Sequence, residues 1–246
     1  MSTPKPCVVA KLAIVALCLL AVPTGAAGGL IGLQNPTATF EQPEYPGGLW
    51  GGGIHATIDG VIYDGYNAWG FEGGAAMKSA YQFGVYQTTS PQSPSELTFS
   101  LFFFGVPHPG TKFQDIRLSY TQSASPTVDS GALWTILTPS SASATMATAV
   151  INGDHIQFSG DTTLPDIYTV SMENLALTGV TGFRLEIYPG VDFPWLGFPN
   201  GNGNAHLTEF QVDASPVVPE PTALIVWALL GASGIGFGWW RRKRAG

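Results

Sequence analysis

Charge is what this chain has least of. Asp, Glu, Lys and Arg make up 11% of its 246 residues, against 45% apolar and 12% aromatic residues. So much apolar material excludes a disordered polar segment, because there is enough surface to bury. Cysteine is nearly absent too, and the two present, Cys7 and Cys18, fall within the first 27 residues. Residues 28–217 therefore offer no disulfide, no thiolate nucleophile and no Cys-based zinc site. Basic residues in that stretch are Lys78, Lys112, Arg117 and Arg184, four against sixteen acids, for a net charge of −12. That balance disfavours nucleic acid and anionic membrane surfaces, which call for basic patches. No stretch of 12 residues in 28–217 has convincing 3.6-residue periodicity, and there is no His-Glu-x-x-His, P-loop or Gly-x-Gly-x-x-Gly after a strand.

What is abundant is Gly (31) and Pro (19), punctuating short apolar runs. The runs predict strands near 37–41, 81–87, 97–104, 114–121, 131–137, 146–151, 155–159, 166–172, 181–188 and 205–212. Several alternate with period two. Phe113, Asp115, Arg117 and Ser119 fall on one face, with Ile116, Leu118 and Tyr120 on the other; Ile167, Thr169 and Ser171 likewise oppose Tyr168, Val170 and Met172. Asn152-Gly153 reads as a two-residue hairpin loop of type I′. The Ala/Ser/Thr-rich stretch 140–148 reads as loop running into strand. The expectation is one all-β domain over 28–217, a sandwich.

The two ends read differently. Residues 1–27 have the parts of a signal peptide: Lys5 and Lys11, an apolar run from Leu12 to Val22, and small residues at Thr24-Gly25-Ala26-Ala27, with cleavage expected after Ala27. At the other end, 218–246 divides into three. Val218-Pro219-Glu220-Pro221 is stiff and non-helical, because proline fixes φ and disfavours helix in the residue before it. Residues 222–240 carry no charge and, as a transmembrane helix, would be about 28 Å long, near the hydrocarbon thickness of a bilayer. Residues 241–246 hold the basic cluster Arg241-Arg242-Lys243-Arg244, which places that end in the cytoplasm. Pro219-Glu220-Pro221 followed by one apolar span and a basic end resembles the PEP-CTERM sorting signal of Gram-negative bacteria. The resemblance implies an exosortase partner that removes the tail. It also implies transient residence in the inner membrane, then the cell surface or extracellular matrix.

A second resemblance covers about residues 35–214. Ala56-Thr57-Ile58-Asp59-Gly60 precedes Trp69, and Gly182-Phe183-Arg184-Leu185-Glu186 precedes Leu207-Thr208-Glu209-Phe210. This order is similar to galactose-binding-like jelly rolls of the discoidin type. The resemblance implies a jelly-roll β-sandwich and a structural Ca²⁺ on Asp59 and Glu209, with carbonyls from the loop 64–67.

The segment 192–204 is rich in aromatics and amides. Trp195 and Phe198 have the faces that sugar rings pack on, and Asn200 has the amide that hydroxyls need; the competing reading makes the two aromatics plugs of the sandwich end. His55, His108, His155 and His206 are scattered. Two functions stand open: a non-catalytic glycan-binding or structural module working in extracellular polysaccharide, and a secreted carbohydrate-active hydrolase with dispersed carboxylates.

Overall fold

In a computed structural model, residues Gly28–Pro216 form one compact unit. The structure describes residues 28–40, 53–62, 68–70, 80–103, 112–160, 165–190, 195–197 and 205–216. The expectations for 1–27 and 218–246, including Pro219, Glu220 and Pro221, lie outside them. Among the described residues, no helix is long and apolar enough to cross a membrane.

The described strands are β1 (Gly29–Leu30), β2 (Leu33–Ala38), β3 (Trp69–Gly70), β4 (Gln82–Gln92), β5 (Pro94–Phe103), β6 (Asp115–Thr121) and β7 (Thr135–Ile136). They continue with β8 (Ser141–Ala144), β9 (Thr148–Asn152), β10 (His155–Ser159), β11 (Asp166–Met172), β12 (Val180–Tyr188) and β13 (His206–Pro216). A single 3₁₀ turn, Ile54–Ile58, is the described helical element.

The strands make two antiparallel sheets. One has the order β1-β13-β5-β11-β8 with β3 beside β13, and the other β2-β4-β12-β6-β10-β9 with β7 beside β6. The pairings nest, because β1 meets β13, β4 meets β12, β5 meets β11 and β6 meets β10. Early strands pairing with late ones in reverse order is what a long hairpin rolled into two layers produces. The fold is a jelly-roll β-sandwich.

Period-two alternation builds the core. Leu97, Phe99, Leu101, Phe103, Tyr168, Val170, Phe210 and Val212 face Tyr86, Ile116, Leu118, Ile156, Phe183, Leu185 and Ile187, all buried. Phe99 meets Phe183 edge-on at 5.3 Å, and Tyr86 stacks on Phe210 at 4.5 Å. Each large side chain buried this way contributes about 1.5–3 kcal/mol. Gly84 leaves room for the plug at one end of this core. A Cβ there would lie 2.6 Å from Ile54 Cδ1 and 3.0 Å from the ring of Trp69, whose Nε1 donates to the Phe40 carbonyl at 2.9 Å.

Three local expectations are corrected. Ser141–Ala144 is a strand rather than loop, paired with β11 from Ser141↔Ser171 to Ala144↔Tyr168. Phe113 is fully buried in the core rather than on the face of Asp115, because it precedes β6 in an isolated bridge to Gly197. The β9–β10 loop is Gly153-Asp154, since Asn152 pairs with His155; Gly153 has φ +67° and Asp154 has no positive φ, the requirement of a type II′ turn.

Candidate functional site

The first candidate pair is brought together from 150 positions apart in the sequence. The 3₁₀ turn delivers Asp59 and Gly60, the latter at φ +83°, against the bulge in β13 between Leu207 and Glu209. Gly60 N–H donates to Glu209 Oε2 at 3.2 Å, and Val61 N–H donates to Asp59 Oδ1 at 2.8 Å. The Thr208 hydroxyl is 2.7 Å from the Ile62 carbonyl and ties the same loop to β13. Glu209 is 4% exposed. Burial pushes its carboxyl above the ordinary range; the Asp59 charge adds to the push, and the Gln211 and Gly60 bonds oppose it. Both carboxylates line an open cleft of about 360 Å³ walled by Ile31, Leu33, Ile58 and Gln211. These are hard oxygen donors suited to a cation such as Ca²⁺. Among the described residues, no group of three or more His, Cys, Asp or Glu is placed to hold a metal. The loop 64–67, expected to add carbonyls, is outside the described residues.

The second candidate, the aromatic loop, is described at 195–197, while Phe198 and Asn200 lie outside the described residues. Trp195 is partly exposed, whereas Leu196 beside it is fully buried and takes the plugging position. The backbone here is pinned from two sides. Gln114 Nε2 donates to the Trp195 carbonyl at 2.8 Å and also to the Gly197 carbonyl, and Gly190 N–H donates to the Trp195 carbonyl at 3.1 Å. Beneath this end of the sandwich, Lys112 Nζ and Asp166 Oδ2 form a fully buried ion pair at 3.4 Å. Asp166 also accepts the N–H groups of Met146 and Ala147 at 2.9 and 3.0 Å, holding the turn between β8 and β9.

A third cluster went unnoticed in the sequence reading. On the outward face of the seven-stranded sheet, Glu186 is 1% exposed and receives Tyr81 Oη at 2.6 Å, Arg117 Nε at 2.6 Å and Arg184 Nη2 at 2.9 Å. Arg117 reaches on to Asp154 Oδ2 at 3.3 Å, and His155 Nδ1 lies 2.8 Å from Asp115 Oδ1. The Arg184 guanidinium sits between the rings of Phe83 (5.3 Å) and Trp134 (4.9 Å). Register makes this cluster: Glu186 lies opposite both Phe83 and Arg117, and His155 opposite Arg117. The period-two series Arg184-Glu186-Tyr188 and Asp115-Arg117 was the available signal.

No family model matches the chain, and no curated protein matches it. Among solved structures, it is similar to the family 32 carbohydrate-binding module of NanJ from C. perfringens, solved in complex with galactose. That match has 12% identity, a TM-score of 0.44, and covers 76% of this chain and 98% of that one. It is also similar to the C-terminal domain of a chitobiase from Bacteroides fragilis (12% identity, TM-score 0.44, covering 77% and 100%). A third likeness is to an F5/8 type C domain from the same species (11% identity, TM-score 0.40, covering 78% and 99%).

Proposed function

We propose that this chain is an exported, non-catalytic glycan-binding module of the cell surface or extracellular matrix, sorted by an exosortase that removes residues 218–246. The observation that carries the binding reading is Trp195: an indole partly open to solvent on a backbone fixed by Gln114 and Gly190, with Leu196 plugging the core in its place. A backbone held in place leaves less freedom to lose when a sugar packs on the ring it carries. The net charge of −12 over residues 28–217 turns polyanions away, so the ligand is a neutral or cationic glycan of extracellular polysaccharide. Asp59 and Glu209 hold Ca²⁺, which would bridge two neighbouring carboxylates and fix the 3₁₀ turn to β13.

The deciding experiment measures glycan binding and melting temperature together on Trp195→Ala. Lost binding with an unchanged melt supports the reading. A melt lowered by about 3–5 kcal/mol of stability, with binding per folded molecule intact, returns Trp195 to the core and ends it. Sugar release by the unmodified protein would favour the hydrolase instead. Calcium should raise the melting temperature, and Asp59→Ala or Glu209→Ala should abolish the rise. Mass spectrometry of the exported chain should find Gly246 gone, and an intact C-terminus would replace processing by a permanent anchor.

A further inference from the structure

We infer that the outward face of the seven-stranded sheet, along Tyr81, Tyr188 and His155, is a second binding surface that takes a run of neutral sugar residues. The inference rests on the glycan reading for the class of ligand; the geometry is its own.

The rings form a continuous band. Phe83 and Tyr81 are 5.6 Å apart between centroids, Tyr81 and Tyr188 4.8 Å, and Tyr188 and His155 4.7 Å. From β4 to β10 there are three strand spacings, roughly 14 Å, which spans two or three pyranose rings laid end to end. Tyr81 is 40% exposed and the His155 side chain 26%, and Tyr188 is partly open as well. The solvent-open surfaces of Tyr81, Tyr188 and His155 are where the C–H face of a pyranose packs, the guanidiniums of Arg184 and Arg117 lying against the Phe83 and Tyr188 rings.

The band is also held from beneath. Glu186 anchors the Tyr81 hydroxyl and the Arg117 guanidinium, and the same guanidinium lies 5.4 Å from the centre of the Tyr188 ring. Burial and the Glu186 carboxylate keep the Tyr81 proton on its oxygen, so the bond stays intact through neutral pH. Preorganised rings and hydrogen-bonding groups raise affinity by lowering the ordering cost of association. Around the band, Asp154 and Gln157 supply polar groups for ring hydroxyls; Gln157 Nε2 is already oriented by the buried Asp115 Oδ2 at 3.3 Å.

Charge selects the ligand. Arg117 and Arg184 are both committed to Glu186, while Asp154 and Asp115 bring two further negative charges to the same face. Among the described residues of this face no cation is left over for a polyanion, whereas a neutral polyol needs only rings, donors and acceptors. The strand that carries Tyr188 also leads into the backbone contact of the Trp195 loop. Tyr188 is two residues before Gly190, whose N–H holds the Trp195 carbonyl.

The test uses the full-length chain in detergent. The probes are neutral β-linked gluco-, manno- and galacto-oligosaccharides of one to six units, with polygalacturonate as the acidic arm. For the neutral series that binds, affinity should rise about tenfold or more from monosaccharide to hexaose. Tyr188→Leu keeps an apolar side chain without a ring, and Tyr188→Phe keeps the ring. The length gain should collapse to under about threefold in the first and survive in the second. Trp195→Ala should weaken binding at every length. If the length gain persists in both Tyr188→Leu and Tyr81→Ala, the face is structural and the inference falls, while the Trp195 reading stands. Loss in Tyr188→Leu with none in Trp195→Ala would keep this surface and remove the loop. Salt-sensitive binding of polygalacturonate in preference to the neutral series would overturn the ligand class.

Discussion

The two sheets of the sandwich obey one alternation yet present opposite chemistry outward. Along β5, β8 and β11 the six-stranded sheet shows Thr98, Ser100, Ser141, Ser143, Thr169 and Ser171, small neutral groups whose contacts are as modest as Thr98 Oγ1 to Ser171 Oγ at 3.2 Å, while its carboxylates Glu209 and Asp213 lie along β13. The seven-stranded sheet shows Tyr81, Phe83, Arg184, Glu186, Tyr188, Arg117 and Asp115. The β5, β8 and β11 part of the first face demonstrates what strand pairing needs on an outer surface, which is very little. Desolvating a carboxylate beneath rings and guanidiniums is costly unless every partner is in place. The second face therefore carries an expense that strand pairing does not require.

Stability measurements can break or sharpen that contrast. The largest effect is expected from Glu186→Ala, which strands Tyr81, Arg117 and Arg184 together. Losing a buried ionic partner costs about 3–5 kcal/mol, and partial hydration of the two guanidiniums puts this case at the lower end. Urea unfolding should show it, and a loss under about 1 kcal/mol would make the two faces equivalent. Tyr81→Phe removes one hydrogen bond to a charged group at a partly exposed site and should cost about 1 kcal/mol.

Asp115→Asn tests the same face through pH. Burial holds the Asp115 carboxyl above its ordinary range, against the opposing pull of His155, Gln157 and Arg117. A folded state that favours the proton is helped most below the ordinary carboxyl range, and that help is lost as pH rises through the raised folded value. The stability difference should therefore move toward the asparagine variant as pH rises from about 3 to about 8; a flat difference would show that burial does not govern this carboxyl. Ser171→Ala, on the opposite sheet, should change stability by no more than about 0.5 kcal/mol.

Most of the sandwich was legible in the sequence because its core obeys period two. The strands at 155–159 and 166–172 coincide with β10 and β11, where Ile156, Phe158, Tyr168, Val170 and Met172 alternate with polar neighbours. Ser141–Ala144 was not legible. Ser-Ala-Ser-Ala lacks the β-branched and aromatic residues that mark strands, and it becomes one by pairing with β11. The short β1 and β3 escaped for a related reason: two residues carry no period, and both exist by pairing with β13. Asp59 and Glu209 were paired by family resemblance, and the structure joins them through Gly60. The Glu186 cluster was legible only within single strands, where period two puts Arg184, Glu186 and Tyr188 on one face and Asp115 and Arg117 on another; their meeting depends on β12 lying between β4 and β6.

The place of β13 sets the order in which this domain can form. It is the last described strand in the sequence yet lies inside its sheet, between β1 and β5, with β3 alongside. Until residues 206–216 arrive, β1 and β3 have no partner in that sheet, and β5 presents one bare edge. Closing them requires loops spanning most of the chain, which makes the folding step slow and non-local. A chain emerging from its N-terminus thus stays open until nearly its whole length is out. Completion of the roll falls to the last described strand delivered.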